Sequence, residues 1–249
     1  MIRIIIYGAN GKMGQVLSKV IACEKDMKIV AGIDRSPNKE KNPYPVYKDF
    51  KECKEEADVI IDFSHVSNLE KVLKYSLEKR LALIIATTGL SDEDYSEIKQ
   101  ASKNIPVLCS SNMSLGINAL KKALKEISPT LDGFDIEIIE KHHNKKLDAP
   151  SGTAYLLANA INESLDNSKN YTFGRKGIDA KRQSNEIGIH AIRGGTIPGE
   201  HTVIFAGLDE IIEIKHTALT KNVFANGAVK ATRFITKAQP GLYGMNDIF

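Results

Sequence analysis

Tryptophan is absent, aromatic residues make up only 6% of the 249-residue chain, and cysteine occurs three times. Cys23, Cys53 and Cys109 are odd in number and far apart. They form neither a disulfide framework nor a clustered metal site, so the expectation is three free thiols packed as small apolar side chains in a reducing compartment, with no metal. No stretch approaches the roughly 18 consecutive apolar residues that a helical membrane span needs. The opening Met1-Ile2-Arg3-Ile4-Ile5-Ile6 runs straight into a glycine loop and lacks the charged start, long apolar centre and small-residue cleavage site of a secretory signal. A cytoplasmic protein without membrane contact is therefore expected. The net charge of +3 is spread along the chain. It gives no basis for a nucleic-acid partner and mildly favours small anionic ligands. Internal repeats and low-complexity tracts are also missing.

Hydrophobic residues at 42% and charged residues at 26% describe a globular chain. Its length suits two small domains that need no staples. Ile2–Tyr7 is a β-branched apolar run ending at Gly8, the mark of a strand buried on both faces. Lys12–Cys23 has helical spacing, with Met13, Val16, Leu17, Val20 and Ile21 on one side. Further strands are expected at Lys28–Ile33, Val59–Asp62, Leu81–Ala86 and Ile105–Cys109, and helices at Val66–Lys79 and from the Ser91 cap to about Ser102. Asp34–Tyr47, rich in Pro, Asn and Lys, reads as a loop. Alternating strands and helices predict an α/β fold with a Rossmann-like, doubly wound parallel sheet.

After residue 112 the rhythm changes. Helices are expected at Met113–Ile127 and Ser151–Ser164, and strands at Phe134–Glu140, Glu186–Arg193, His201–Ala206 and Ile211–Thr217, with a hairpin turn at Gly207-Leu208-Asp209. This predicts a second, α+β domain carrying a mixed or largely antiparallel sheet. A last helix, about Val223–Thr236, returns to the first domain. The expected division is 1–112 with 224–249 for dinucleotide binding, and 113–223 for substrate binding and oligomerisation.

The loop Gly8-Ala9-Asn10-Gly11-Lys12-Met13-Gly14 follows a strand and opens a helix. Glycines there allow a tight turn, close approach of backbone N–H groups to a pyrophosphate, and close packing of helix on strand. The helix start adds a positive dipole. Asp34, at the end of the second strand, stands where an acid accepts hydrogen bonds from the adenosine ribose, while Arg35 can meet a 2′-phosphate. The pair predicts use of both NADH and NADPH. An ordinary tight turn is the plain alternative. Ala86-Thr87-Thr88-Gly89 and Ser110-Ser111-Asn112-Met113 follow the fourth and fifth strands, at the edge where such sheets bind ligands.

The chemically richest stretch is Glu140-Lys141-His142-His143-Asn144-Lys145-Lys146-Leu147-Asp148-Ala149-Pro150-Ser151-Gly152-Thr153. Pro150 to Thr153 reads as a helix start with Ser151 as N-cap, a geometry that presents backbone N–H groups to a carboxylate. His142 and Lys146 could supply a proton and positive charge beside it. A solvated basic loop before a capped helix is the bland alternative. Zinc is disfavoured, because adjacent histidines point in different directions and no cysteine accompanies them. Tyr44 and Lys48 have the spacing of a short-chain dehydrogenase pair, but Pro45 removes the helix such a pair needs. A nucleotide-sensing protein without catalysis is the alternative from another class; it would need no proton donor beside a carboxylate pocket.

Glu140–Thr153 resembles the E-x-H-H-x-x-K-x-D-x-P-S-G-T signature of the 4-hydroxy-tetrahydrodipicolinate reductase (dihydrodipicolinate reductase) family at every fixed position. The glycine loop is similar to that family's G-A-x-G-x-M-G. Ala86–Gly89 is similar to its G-T-T-G with Ala for the first Gly. Arg193-Gly194-Gly195 through Val203, and Phe224-Ala225-Asn226-Gly227-Ala228, extend the likeness over nearly the whole chain. The resemblance implies reduction of a small cyclic dicarboxylate by NADH or NADPH. It makes His142 and Lys146 the proton donors, and His143, Ser151, Gly152 and Thr153 substrate-binding positions. Gly8, Ala9, Asn10, Gly11, Lys12, Met13, Asp34, Arg35, Ala86, Thr87, Thr88, Ser110, Ser111, Asn112 and Met113 become cofactor positions. It also implies a homotetramer assembled through the second-domain sheet. Lys221 departs from the arginine common in relatives; lysine keeps the charge but loses the two-pronged fork.

Overall fold

The computed structural model describes residues 1–248. Along the chain run β1 (Ile2–Tyr7), α1 (Lys12–Ile21), β2 (Met27–Ile33), β3 (Val46–Tyr47), β4 (Val59–Asp62), α2 (Leu69–Lys79), β5 (Ala82–Ile85), α3 (Asp92–Ala101) and β6 (Pro106–Cys109). Then come α4 (Leu115–Ile127), β7 (Asp135–His142), α5 (Gly152–Ser164), β8 (Asn170–Phe173), β9 (Glu186–Arg193), β10 (Glu200–Ala206) and β11 (Ile211–Thr217), followed by α6 (Asn222–Ile235) and β12 (Gly241–Tyr243). The backbone forms two compact units, Met1–Leu115 with Lys221–Phe249, and Gly116–Thr220.

The first unit is a seven-stranded sheet in the order β12-β6-β5-β4-β1-β2-β3, with all pairings parallel. Because successive side chains alternate across a strand, β1 feeds two core layers. Ile4 and Ile6 join Leu17, Ile61 and Ile84 in one; Ile5 and Tyr7 join Ile60, Val72 and Ile85 in the other. This double burial is why the run is continuously apolar rather than alternating. α3 starts in a capping box: Asp94 N–H donates to Ser91 Oγ (3.2 Å), and Ser91 N–H to the Asp94 carboxylate (2.7 Å). α6 packs against α1. It passes so close to the chain at Met113 that a Cβ on Gly227 would stand 1.7 Å from the Met113 carbonyl oxygen.

The second unit is a five-stranded mixed sheet in the order β11-β10-β7-β9-β8. β10 is antiparallel to β7 and β11, whereas β9 is parallel to β7 and β8. Leu120 and Leu124 of α4 and Ala154, Leu157 and Ile161 of α5 pack on Ile136, Ile138, Val203 and Phe205. The expected hairpin joins β10 and β11, with Asp209 at φ +62° and Gly207 N–H bonded to the Glu210 carbonyl.

Several expectations need correction. The loop expected over 34–47 ends in β3, held by Gly32 N–H to the Pro45 carbonyl and Asp34 N–H to the Tyr47 carbonyl. β8 and β12 were not expected, because these short, part-exposed segments lack the buried apolar run that marks the equally short Val59–Asp62 and exist through their neighbour's hydrogen bonds. The helix expected from Met113 begins at Leu115. That expected from Val66 opens with a short 3₁₀ turn, in which the His65 ring accepts from Ser67 N–H, before α2 starts at Leu69. Cys23 is exposed and Cys53 and Cys109 half-buried, so the expected burial of all three thiols does not hold. Tyr44 lies outside any helix and bonds the Ser18 hydroxyl. No helix among the described residues is long and apolar enough to cross a membrane.

Candidate active site

The glycine loop occupies the C-terminal edge of the first sheet, between β1 and α1. Gly8 has φ +81°, and a Cβ there would press on the Phe63 carbonyl at 3.0 Å. A Cβ on Gly14 would lie 2.2 Å from the Gly8 carbonyl oxygen, so only glycine lets α1 sit this tightly on the loop. α1 has Gly11 as N-cap, no side-chain cap and no acid in its first turn. Its positive end is left for an anion, which fits a bound pyrophosphate. Asp34 does more than wait for a ribose. One carboxylate oxygen accepts Asn10 N–H and the other Ser36 N–H, both at 2.9 Å, so Asp34 also fixes the shape of the loop.

A cavity of about 580 Å³ opens here. Gly8, Gly11, Asp34 and Arg35 line it together with Lys48 and Lys71. Neither lysine was expected at a cofactor site: Lys48, which follows β3, entered only through its spacing from Tyr44, and Lys71 on α2 does not stand out in a lysine-rich chain. Of the other expected cofactor positions, Ala9 and Asn10 are buried in the loop, while Lys12 and Met13 form the first turn of α1. Ala86–Thr88 follow β5 and Ser110–Met113 follow β6, on the same sheet edge as the glycine loop. Thr87 Oγ1 donates to the Asp62 carboxylate (3.2 Å), and Ser110 Oγ donates to the Asn112 carbonyl. Asp62 was not foreseen; burial holds its pKa above the usual carboxylate range. Burial likewise pushes the Cys109 thiol up to about 12, with the Asp62 charge adding to it, which leaves this cysteine unreactive. Lys221 is exposed at the start of α6 and caps it with no side-chain bond.

The second unit gathers the histidine segment. On β7 the inward set reads Ile136, Ile138, Glu140, His142, so an apolar face ends in two ionisable side chains. Strand register extends this polar row: Glu140 pairs with His201 on β10, His201 with His216 on β11, and His142 with Arg193 on β9. Glu140 is fully buried. Arg193 grips it with two N–H groups at 2.7 Å each, Ser151 N–H donates to it at 2.9 Å, and His142 Nδ1 lies 2.6 Å from its second oxygen. Burial raises the Glu140 pKa, but these donors outweigh it and hold the carboxyl below its ordinary value. Burial lowers the His142 pKa against the upward pull of Glu140. His201 is pushed down to about 3, by burial first and then by the His142 charge.

Ser151 is the N-cap foreseen, with its hydroxyl accepting Ala154 N–H and meeting His201 Nε2 at 2.9 Å. Gly152 is exposed, and nothing lies within 4 Å of where its Cβ would be. Lys146 is folded back by a turn in which its N–H bonds the His143 carbonyl, and its ammonium pairs with Asp148 at 2.8 Å. His143 Nδ1 is buried without a hydrogen-bond partner. Glu140, Arg193 and His201 stand within the sequence motifs, but no local pattern assigns them a role. The signal that could have found Glu140 and His201 is their place on the apolar side of alternating strands, where an ionisable residue needs a partner.

Two family models cover the chain: "Dihydrodipicolinate reductase, N-terminus" over residues 2–113 and "Dihydrodipicolinate reductase, C-terminus" over residues 116–249. A protein of Caldanaerobacter subterraneus subsp. tengcongensis named 4-hydroxy-tetrahydrodipicolinate reductase is 51% identical, over 100% of this chain and 98% of its own. One of the same name from Clostridium tetani is 49% identical, over 99% and 96%. Among solved structures, dipicolinate-bound dihydrodipicolinate reductase from Paenisporosarcina sp. TG-14 shares the fold at TM-score 0.82 and 24% identity, with both chains covered completely. A probable dehydrogenase from Thermotoga maritima shares it at TM-score 0.65 and 12% identity, over 99% of this chain and 92% of that one. With both halves matched and half the residues identical to a full-length relative, the chain belongs to the dihydrodipicolinate reductase family.

Proposed function

We propose that the chain reduces 4-hydroxy-tetrahydrodipicolinate to tetrahydrodipicolinate, with loss of water, in lysine and diaminopimelate biosynthesis, using NADH or NADPH. The observation that carries this reading is end-to-end identity of 51% with a relative of that name. The dipicolinate carried by the Paenisporosarcina homologue supports a small cyclic dicarboxylate as substrate.

The nicotinamide dinucleotide supplies hydride when bound; the protein supplies position, charge and protons. In this reading the first unit is the dinucleotide-binding domain. Gly8–Met13 and the α1 start hold the pyrophosphate, and Asp34 holds the adenosine ribose. Arg35, Lys48 and Lys71 meet the 2′-phosphate, and residues 86–88 and 110–113 border the nicotinamide. The second unit binds substrate. One carboxylate rests on the α5 start at Ser151, Gly152 and Thr153, with His143 beside it. The C4 hydroxyl leaves as water with a proton from the adjacent ring carbon, and hydride supplied at C4 of the conjugated ring so formed would push negative charge towards the ring nitrogen. His142 and Lys146 stabilise that charge and deliver the proton at C3. Lys146 exchanges Asp148 for substrate in doing so. We also assign the protein to the cytoplasm, as a homotetramer joined through the second-unit sheet, where Ile192 and Ile211 stand exposed.

The direct test is NAD(P)H oxidation, followed at the reduced-cofactor absorbance band, on adding freshly made 4-hydroxy-tetrahydrodipicolinate. Substrate-dependent oxidation is expected with both cofactors. Dinucleotide binding without turnover would instead favour a sensing role.

A further inference from the structure

We infer that Glu140, clamped by Arg193, is the positioning residue of this site: it fixes the proton of His142 on Nδ1 and thereby keeps Nε2 as the working nitrogen. The inference rests on the reading of His142 as proton donor. Its geometric basis is one carboxylate with four nitrogen contacts, three of them from fixed N–H donors. Oε1 accepts from Arg193 Nη2 (2.7 Å) and Ser151 N (2.9 Å); Oε2 meets Arg193 Nη1 (2.7 Å) and His142 Nδ1 (2.6 Å). A buried carboxylate with a two-pronged arginine stays ionised, and an ionised carboxylate only accepts hydrogen bonds. The His142 atom facing it must therefore carry hydrogen. Neutral His142 is then the Nδ1–H tautomer with Nε2 as acceptor, and a second proton goes to Nε2. On that side the chain offers Gly199, where a Cβ would stand 3.1 Å from Nε2, so the space before the working nitrogen is kept clear.

The same carboxylate decides whether His142 can hold a second proton. The groups around His142 are Glu140 on its own strand, Lys146 on the following loop, Arg193 on β9 and His201 on β10, with His216 beyond it on β11. Burial, Lys146 and Arg193 all disfavour imidazolium; Glu140 alone favours it. Arg193 also donates to the Asp148 carbonyl (2.6 Å), so one guanidinium ties β9, Glu140 and the Lys146 loop together. The arrangement is that of an acid–base histidine oriented by a second group.

Nitrogen NMR of histidine-labelled full-length protein reads the tautomer and titration of His142 without any turnover. In the unaltered protein the neutral form should be Nδ1–H; an Nε2–H form overturns the proposal whatever the variants do. Glu140→Gln should lower the His142 titration midpoint by about 1–3 pH units, the size of effect an adjacent carboxylate has. Glu140→Asp, which keeps the charge, should recover part of it. The high-pH limb of the kcat/KM profile should move down with the midpoint, while NADH affinity holds. A melting temperature that falls while the His142 midpoint stays fixed means a merely structural role and overturns the proposal. A midpoint that moves while the pH–rate limb does not would support Glu140 as the group that orients His142 and overturn His142 as proton donor.

Discussion

The glycine-loop site of the first unit and the histidine site of the second are built from different material. The first is made mostly of backbone, with Gly8, Gly11 and Gly14 clearing space within seven residues and an uncapped helix start supplying charge. The second is made of side chains that meet only because strands pair: Glu140 and His142 from β7, Arg193 from β9, His201 from β10. A backbone site tolerates little change of shape, whereas a side-chain site tolerates little change of chemistry.

The largest effects should come from removing chemistry. His142→Ala and Lys146→Ala are each expected to lower turnover about 10²–10⁴-fold with dinucleotide affinity unchanged. Steady-state kinetics beside cofactor titration check this; near-normal turnover would reduce the segment to a solvated basic face. His143→Ala should chiefly raise KM.

Two matched glycine variants sharpen the contrast of shape. In Gly14→Ala the new methyl meets backbone oxygen at 2.2 Å, so the variant should lose about 1–3 kcal/mol of stability along with dinucleotide affinity. In Gly152→Ala the methyl meets open space, so thermal stability should hold and any effect should appear in KM alone. Equal melting losses for the two would break the comparison.

Acid should attack the second unit first. His201 titrates near 3 in the fold, well below the ordinary value of 6.5, with His142 and His216 shifted the same way. Between those pH values the unfolded chain binds the protons that the fold refuses. The stabilisation is therefore complete above pH 6.5 and drains away as pH falls towards 3. Glu200, held at about 2 by Lys141 and Lys215, adds a loss below 4.5 in the same direction. Hydrogen exchange from pH 7 to 4 should show β7 and β10 losing protection before β1 and β4, and His201→Gln should flatten the dependence.

The smallest effect concerns cofactor choice. Arg35→Ala, Lys48→Ala and Lys71→Ala should each weaken NADPH about tenfold, with NADH nearly unaffected. Calorimetry with 2′,5′-ADP against 5′-ADP reads this without turnover; equal losses for both ligands would remove these cations from the 2′-phosphate.

The parallel sheet, its helices, the glycine loop and the Ser151 cap were all legible in the sequence, because each rests on local rules of periodicity, cap chemistry and backbone freedom that act within a few residues. The short strands β3, β8 and β12 were not, since a neighbour's hydrogen bonds create them. The sequence also marked His142 and Lys146 as reactive types on one segment. Only the tertiary structure decided what surrounds them. Arg193 lies 53 residues from Glu140, and Ser151 Oγ reaches His201 across 50. Such partners are chosen by strand register, which depends on the whole sheet burying its apolar face at once. The environment that sets the charge of His142 is therefore a property of the fold, while its identity as a proton-carrying side chain belongs to the sequence.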